Sequence, residues 1–405
     1  MELRPRSNEI IVELIRRGVQ IPNPLTLDIG PEVDPDRISG DDVVLYPGCR
    51  IYGAKTVISA GVRLGAEAPV TVEDCRLGPK VELKGGYFRK AVFLEKSSMG
   101  SGAHVREGSI LEEEADGAHC VGLKQTILFP FVTLGSLINF CDCLMAGGTS
   151  RKNHSEVGSS YVHFNFTPDG DKTTASLFGD VPRGVMLNQR PIFLGGQGGA
   201  VGPVRVGYGV VTVAGSILRD NIGAEDRLVI PAPHPGAEKD VTPFAYKNLR
   251  RVVANNVVYM ANLVALEEWY RYVRRPFFAA QDLGLLVYEG ALEMLALAKE
   301  ERTKRLQIMV DKIVPSDAAR VELKARVAEI CGLFGAEPSS VGRAEFLAAF
   351  EGTIGSGAAS AGYTQTIQGL PAAVTAAGVA WLQSVVDDLC RRVEALVPEM
   401  DLFED

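Results

Sequence analysis

Residues 99–117 read MGSGAHVREGSILEEEADG, and the step between their aliphatic side chains decides the fold. Met99, Val105 and Leu111 stand six apart. The same step joins Leu77 to Leu83 in CRLGPKVELKGG (75–86) and Ile58 to Leu64 in YPGCRIYGAKTVISAGVRLG (46–65). The texture resumes in GPVRVGYGVVTVAGSIL (202–218). An aliphatic residue every six, with glycine or small residues between, is the pattern of a triangular coil. Six residues make one flat side, about eighteen complete a turn, and turns stack at the strand spacing of about 4.8 Å. The aliphatic residue points inward and glycine turns the corner. A sandwich would alternate with period two between its turns and show no six-residue step. The predicted fold is a mainly β solenoid, a left-handed parallel β-helix of hexapeptide repeats, over 43–225.

Glycine usage marks where that texture stops. Residues 46–225 hold 28 glycines and the equally long 226–405 hold 12, so the repeats are expected to end near 225. Residues 226–242 read as a Pro-rich linker carrying His234. The remainder, 243–405, predicts an all-α C-terminal domain with helices over 249–275, 278–313, 317–334, 342–352 and about 370–397, a small-residue loop at 355–362 and a frayed acidic tail. Such a domain would pack on the solenoid or build subunit contacts. At the other end, 1–42 predicts a short helix, with Ile10, Ile11, Leu14 and Ile15 at helical spacing, closed by Pro22 and Pro24 and followed by a polar connector.

Charge and composition narrow the function. A net charge of −8 and a pI near 5.4 speak against a nucleic-acid binder. The uncharged run 125–141 is too short and too broken for a membrane span, and the first residues lack the apolar core of a leader. Seven cysteines, an odd number, fit reduced thiols and a cytoplasmic location. Cys141 and Cys143 lack a matching second pair and are expected as small buried apolar residues rather than metal ligands.

The chemistry is expected in 142–172, DCLMAGGTSRKNHSEVGSSYVHFNFTPDGDK, a polar knot within the repeats. His154 and His163 are the candidates for a general base. Gly147, Gly148 and 158–160 offer backbone donors for an oxyanion. Arg151, Lys152 and Lys172 could hold a phosphate. Each has a bland alternative: His154 as a solvated loop residue, His163 as a ring in the coil wall, Arg151 and Lys152 as a solvated pair, Asn165 as a rung of a polar ladder. His104 and His119 are expected at corners, Glu112–Glu114 on a solvated face, and 195–199 as a glycine-rich loop without the following Lys-Ser/Thr of a phosphate loop.

With these residues in view, 77–222 resembles the acetyltransferase half of the bifunctional N-acetylglucosamine-1-phosphate uridyltransferase/glucosamine-1-phosphate acetyltransferase family. The more specific segment is EVGSSYVHFNFTPDGDK (156–172); the second, GPVRVGYGVVTVAGSILRDN (202–221), is largely generic to hexapeptide proteins. The resemblance implies that Asn165 and Phe166 stand for the family's Asn-Tyr pair at the acetyl-CoA site. It also implies Lys172 as the lysine that binds the sugar phosphate, with one more residue in its loop, and Ala214 as a small residue beside the coenzyme. It implies a homotrimer with acetyl-CoA as co-substrate. Two departures stand out: Asp142 falls where the family has its catalytic histidine, and 183–199 has no close counterpart. The family's nucleotidyltransferase domain is not among these residues, so uridylyl transfer is not expected.

The leading expectation is an acyltransferase acting on a phosphorylated or nucleotide-linked amino sugar, related to UDP-N-acetylglucosamine biosynthesis, with no metal. The alternative is a non-catalytic sugar-nucleotide-binding protein or scaffold, which Asp142 favours. A third is a zinc enzyme resembling the gamma-class carbonic anhydrases, with His119, His154 and His163 meeting across an interface.

Overall fold

The computed structural model describes residues 7–233, 235–354 and 362–403; His234, most of the small-residue loop and the last two residues of the tail lie outside them. The chain forms a parallel β-solenoid of three flat faces followed by a helical part. One face is a ten-stranded parallel sheet running from Val44–Leu45 to Leu228–Val229. The other two are continuous in a sixteen-stranded sheet, because Gly122–Leu128 and Asn139–Met145 run through the corner between them. On the ten-stranded face Leu45, Leu64, Leu83 and Met99 stack inward, fully buried. At Gly117, the next rung, a side chain would collide with Met99, whose thioether fills the vacant place. The six-residue step is therefore one inward side chain per face: Met99, Val105 and Leu111 lie on three successive faces, each buried.

Two details differ from expectation. The solenoid begins within the supposed connector: Asp28–Ile29 pairs in parallel with Arg50–Ile51, and Gln20 bridges to Val44. Its corners there are short 3-10 turns opened by Pro24 and Pro35, so glycine does not mark them. Many later corners also use other residues. Lys80, Lys96, Glu114 and Phe131 hold φ between 57° and 70°. Each donates its N–H to the coil before, to Ala60, Pro79, Glu95 and Glu113 in turn. Stacking thus fixes a backbone that a free chain would avoid at roughly 1–2 kcal/mol.

Apart from Arg76 and Arg205 in its outer row, one face of the larger sheet is apolar on both sides. Ile58, Leu77, Phe93, Leu111, Leu128, Met145 and Phe178 share one register, and Val57, Val92, Ile110, Ile127, Leu144 and Leu177 the next; all are buried. The row outside is covered by two long helices, Leu249–Trp269 and Gly284–Lys312. Arg275–Ala279, Ala318–Leu333, Arg343–Ile354, Tyr363–Gln368 and Ala372–Leu396 are further helices of this part. No described helix is long and apolar enough to cross a membrane.

Burial on both sides obliges polar groups at this junction to be paired. Glu112 and Glu113, expected on a solvated face, are buried against Arg274. The guanidinium lies 3.7 Å from the Tyr363 ring centroid, and the Tyr270 hydroxyl donates to Glu112 at 2.5 Å. Two carboxylates facing one cation out of water cannot both ionise cheaply. Burial, only partly offset by Arg274, pushes Glu112 up to about 7 from 4.5. A raised carboxyl stabilises the fold below its unfolded value and loses that contribution as pH rises through the folded value. The variant Glu112→Gln, which needs no proton, should therefore gain on the wild type in urea midpoint as pH rises from about 5 to about 8. A constant difference across that range would show that Glu112 titrates normally.

Candidate functional site

The strand spacing shows where the coils open. Along the ten-stranded face, partners are 16 to 19 residues apart except at two steps: Thr133 pairs with Glu156, 23 on, and Glu156 with Phe193, 37 on. The extra residues form a hairpin at 148–154, a loop at 165–175 and the segment 179–192. All the candidate site residues except Ala214 and His163 lie in the first two.

The hairpin pairs Gly148–Ser150 with Asn153–His154, antiparallel, against the grain of the solenoid. Gly147 and Gly148 hold φ of 99° and 97°, and a side chain at Gly148 would strike the backbone of His154. Arg151 is consumed as a staple: it donates to the carbonyls of Glu114 at 2.9 Å and Phe131 at 3.0 Å and to the Thr133 hydroxyl at 2.8 Å. Lys152 is left exposed beside it. His154 is part-buried, its Nδ1 2.8 Å from the Arg151 carbonyl and its Nε2 3.6 Å from Glu156. A carbonyl can only accept, so Nδ1 carries a proton. Thr149 to Lys152 and Thr364, Gln365 and Gln368 of the helical part border a cleft of about 610 Å³.

The second opening is strapped shut. Asp142, the corner residue with φ 59°, accepts from Arg302 at 2.7 Å and from Asn165 at 2.8 Å, with both charges buried. Asp171 accepts from the Tyr246 hydroxyl at 2.8 Å. Asn256 donates to the Thr173 carbonyl at 3.1 Å and Lys312 to that of Asp169. Lys172 holds φ 59° within this loop, and Phe166 is 73% exposed on it.

His163 points into the solenoid. It is 1% exposed, lies between Phe140 and Phe178, and sits 2.7 Å from Ser176 Oγ. Ser176 accepts from the Val204 amide, which leaves its own proton for Nε2. Burial holds the imidazole down to about 4, so it stays neutral above that pH and touches no solvent. The wall position, not the base position, is the one it occupies. A ring inside the coil also cannot meet His119 and His154 at an interface ion. No group of three or more His, Cys, Asp or Glu able to hold a metal occurs among the described residues. Cys141 and Cys143 are buried, as the spacing suggested.

The candidates therefore separate. His154, Arg151 and Lys152 share one corner; Asp142, Asn165, Phe166 and Lys172 share another. Ala214 stands at the third, exposed, in line with 158–160 and 195–197, where Gly158 and Gly195 allow the backbones to stack. The glycine-rich loop is a coil corner. Within one chain these groups do not converge.

No family model matches the sequence. The bifunctional protein GlmU of Thermotoga maritima is 28% identical over 222 residues, covering 55% of this chain and 43% of that protein. That of Trichlorobacter lovleyi is 27% identical over 232 residues, 57% of this chain and 44% of its own length. This chain is a relative of the GlmU proteins. It spans less than half the length of these curated relatives. Among solved structures, LpxA from Acinetobacter baumannii aligns with 53% of this chain and 70% of its own at 11% identity and a TM-score of 0.16, too low for a common overall shape.

Sequence reasoning missed what the GlmU-related coils meet. Arg302 and Arg274 carried no motif, yet they occupy Asp142 and the Glu112–Glu113 pair. The signal available was the doubly apolar strand pattern AVF, SIL, TIL and CLM at 91–93, 109–111, 126–128 and 143–145, which requires a cover.

Proposed function

We propose that this chain is an acyltransferase of the hexapeptide-repeat class, acting on a phosphorylated or nucleotide-linked amino sugar with acetyl-CoA as donor. The relationship to GlmU supports the class. The observation that supports the site is His154, whose Nδ1 is held on the carbonyl of Arg151, a residue of the cleft lining, while Nε2 lies 3.6 Å from Glu156. In transfer, Nε2 would take a proton from the acceptor amine as its nitrogen bonds to the thioester carbonyl. The C–S bond then breaks and the imidazolium returns the proton to the leaving thiolate. Lys152 supplies a cation for an acceptor phosphate. Asn165, Phe166, Lys172 and Ala214 would contribute only if a second copy brings its corners to the hairpin, as in a cyclic homotrimer.

The test is acetyl-CoA-dependent thiol release with glucosamine-1-phosphate as first acceptor, beside calorimetric titration of acetyl-CoA. His154→Asn should lower turnover by about 10²–10⁴-fold with acetyl-CoA affinity nearly unchanged. Equal turnover in the variant would remove His154 from the reaction.

A second reading is favoured by the Asp142–Arg302 pair. Where the resemblance places a catalytic histidine there is a buried carboxylate committed to the helical part. On this reading the chain binds a sugar nucleotide without transferring an acyl group. No heat with acetyl-CoA at millimolar concentration, but saturable heat with UDP-N-acetylglucosamine, would select it.

A further inference from the structure

A cleft of about 620 Å³ lies between the last coils, the start of the 179–192 segment and the C-terminal helix Ala372–Leu396, away from the hairpin and the 165–175 loop. Its apolar lining comes from Leu177, Val206, Val258, Val386 and Phe403. The size suits a small molecule. Three arginines line it, and two are satisfied. Arg183 pairs with Asp180 and Glu225, and Arg391 with Asp388. Arg205 is different. Its backbone N–H is held by Asn221, but no carboxylate among the described residues pairs with its guanidinium, and its buried Nε has no hydrogen-bond partner. It ends the row of outward side chains on the covered face, where Val92, Ile110, Ile127, Leu144 and Leu177 are apolar, so its charge is set against apolar neighbours. A half-buried cation without a counter-charge is costly, and an oxyanion that engages its fork removes that cost.

We propose that this cleft binds a small organic oxyanion, its carboxylate or phosphate on the Arg205 guanidinium and its body on the apolar floor. The opposite rim carries the carboxylates of Asp387 and Glu394. They repel polyanions and accept from hydroxyl or amine groups, so a compact polyhydroxylated anion fits better than a nucleotide. The site belongs to the junction of solenoid and helices and is independent of acyl transfer at the hairpin.

The experiment is calorimetric titration of the full chain with glucose-6-phosphate, gluconate and inorganic phosphate, which separates the phosphate source from the carboxylate source and the head group from the body. At least one organic anion should bind saturably, and Arg205→Gln should weaken it about tenfold or more, the loss of a charge-assisted hydrogen-bonding fork. Removal of an uncompensated charge should leave the melting temperature of the unliganded variant equal or higher, so loss of binding cannot be laid to misfolding. Lys324→Ala, which removes a cation elsewhere on the helical part, should bind as the wild type does. Absence of binding by all three at millimolar concentration, or unchanged binding in Arg205→Gln, overturns the proposal. So does an equal loss in Lys324→Ala, which would show that the anion follows net charge rather than Arg205.

Discussion

Replacing Arg274 by alanine should lower the unfolding free energy by about 3–5 kcal/mol, the range for breaking a buried ion pair from one side. The variant leaves Glu112 and Glu113 facing each other out of water, and it removes a guanidinium stacked on Tyr363 and Tyr270. The loss is therefore electrostatic and steric at once. Chemical denaturation at neutral pH measures it, and the same experiment near pH 5 should show a smaller loss, because protonated carboxyls tolerate the vacancy better. Adding Glu112→Gln and Glu113→Gln to the variant should recover part of the stability. A loss below about 1 kcal/mol would mean that water reaches the cluster and that it behaves as a surface pair.

Asp142→Ala should have an effect of similar size for the complementary reason. It strands Arg302, buried on the long helix, and frees the Asn165 amide that holds the start of the 165–175 loop. A loss of about 3–5 kcal/mol is expected. The double variant Asp142→Ala/Arg302→Met removes both charges and should recover most of it. A double-mutant cycle with no coupling would show that the two residues do not depend on each other, and the strapped opening would then be free to serve as a binding corner.

Much of this architecture was legible because the repeat imposes its period on the chain. Met99, Val105 and Leu111 had to be one inward residue per face. The first coil was hidden because Pro24 and Pro35, rather than glycine, make its corners. The helices were legible from their apolar period, but not their place. Within LRRVVANNVVYMANL, Asn255, Asn256 and Asn262 are polar groups on an otherwise apolar helix. They bond the solenoid backbone or loops at Pro203, Thr173 and Val181. The site was the least legible part. The stretch 142–172 reads as one polar knot, whereas a solenoid sends residues six apart to different faces. Hence His154 and Lys172 lie at different corners, and His163, one residue out of phase with exposed Phe164 and half-buried Val162, turns inward.

Among the contacts of the long helix Gly284–Lys312 with the solenoid, two lie far apart along the stack. Gly290 and Glu293 meet Arg76, and Arg302 meets Asp142. Between Arg76 and the Asp142 corner the solenoid climbs four turns, about 19 Å at about 4.8 Å each. Between Gly290 and Arg302 the helix climbs about 18 Å at 1.5 Å per residue. The helix is a ruler laid along the stack. A β-solenoid alone can gain or lose a turn without changing its local structure, and so has no inherent length. Here, excising one turn between Arg76 and Asp142 would set the helix out of step by about three residues and pull Arg302 off its mark. The number of turns in this chain is thus a measured quantity, and the helical part holds the measure.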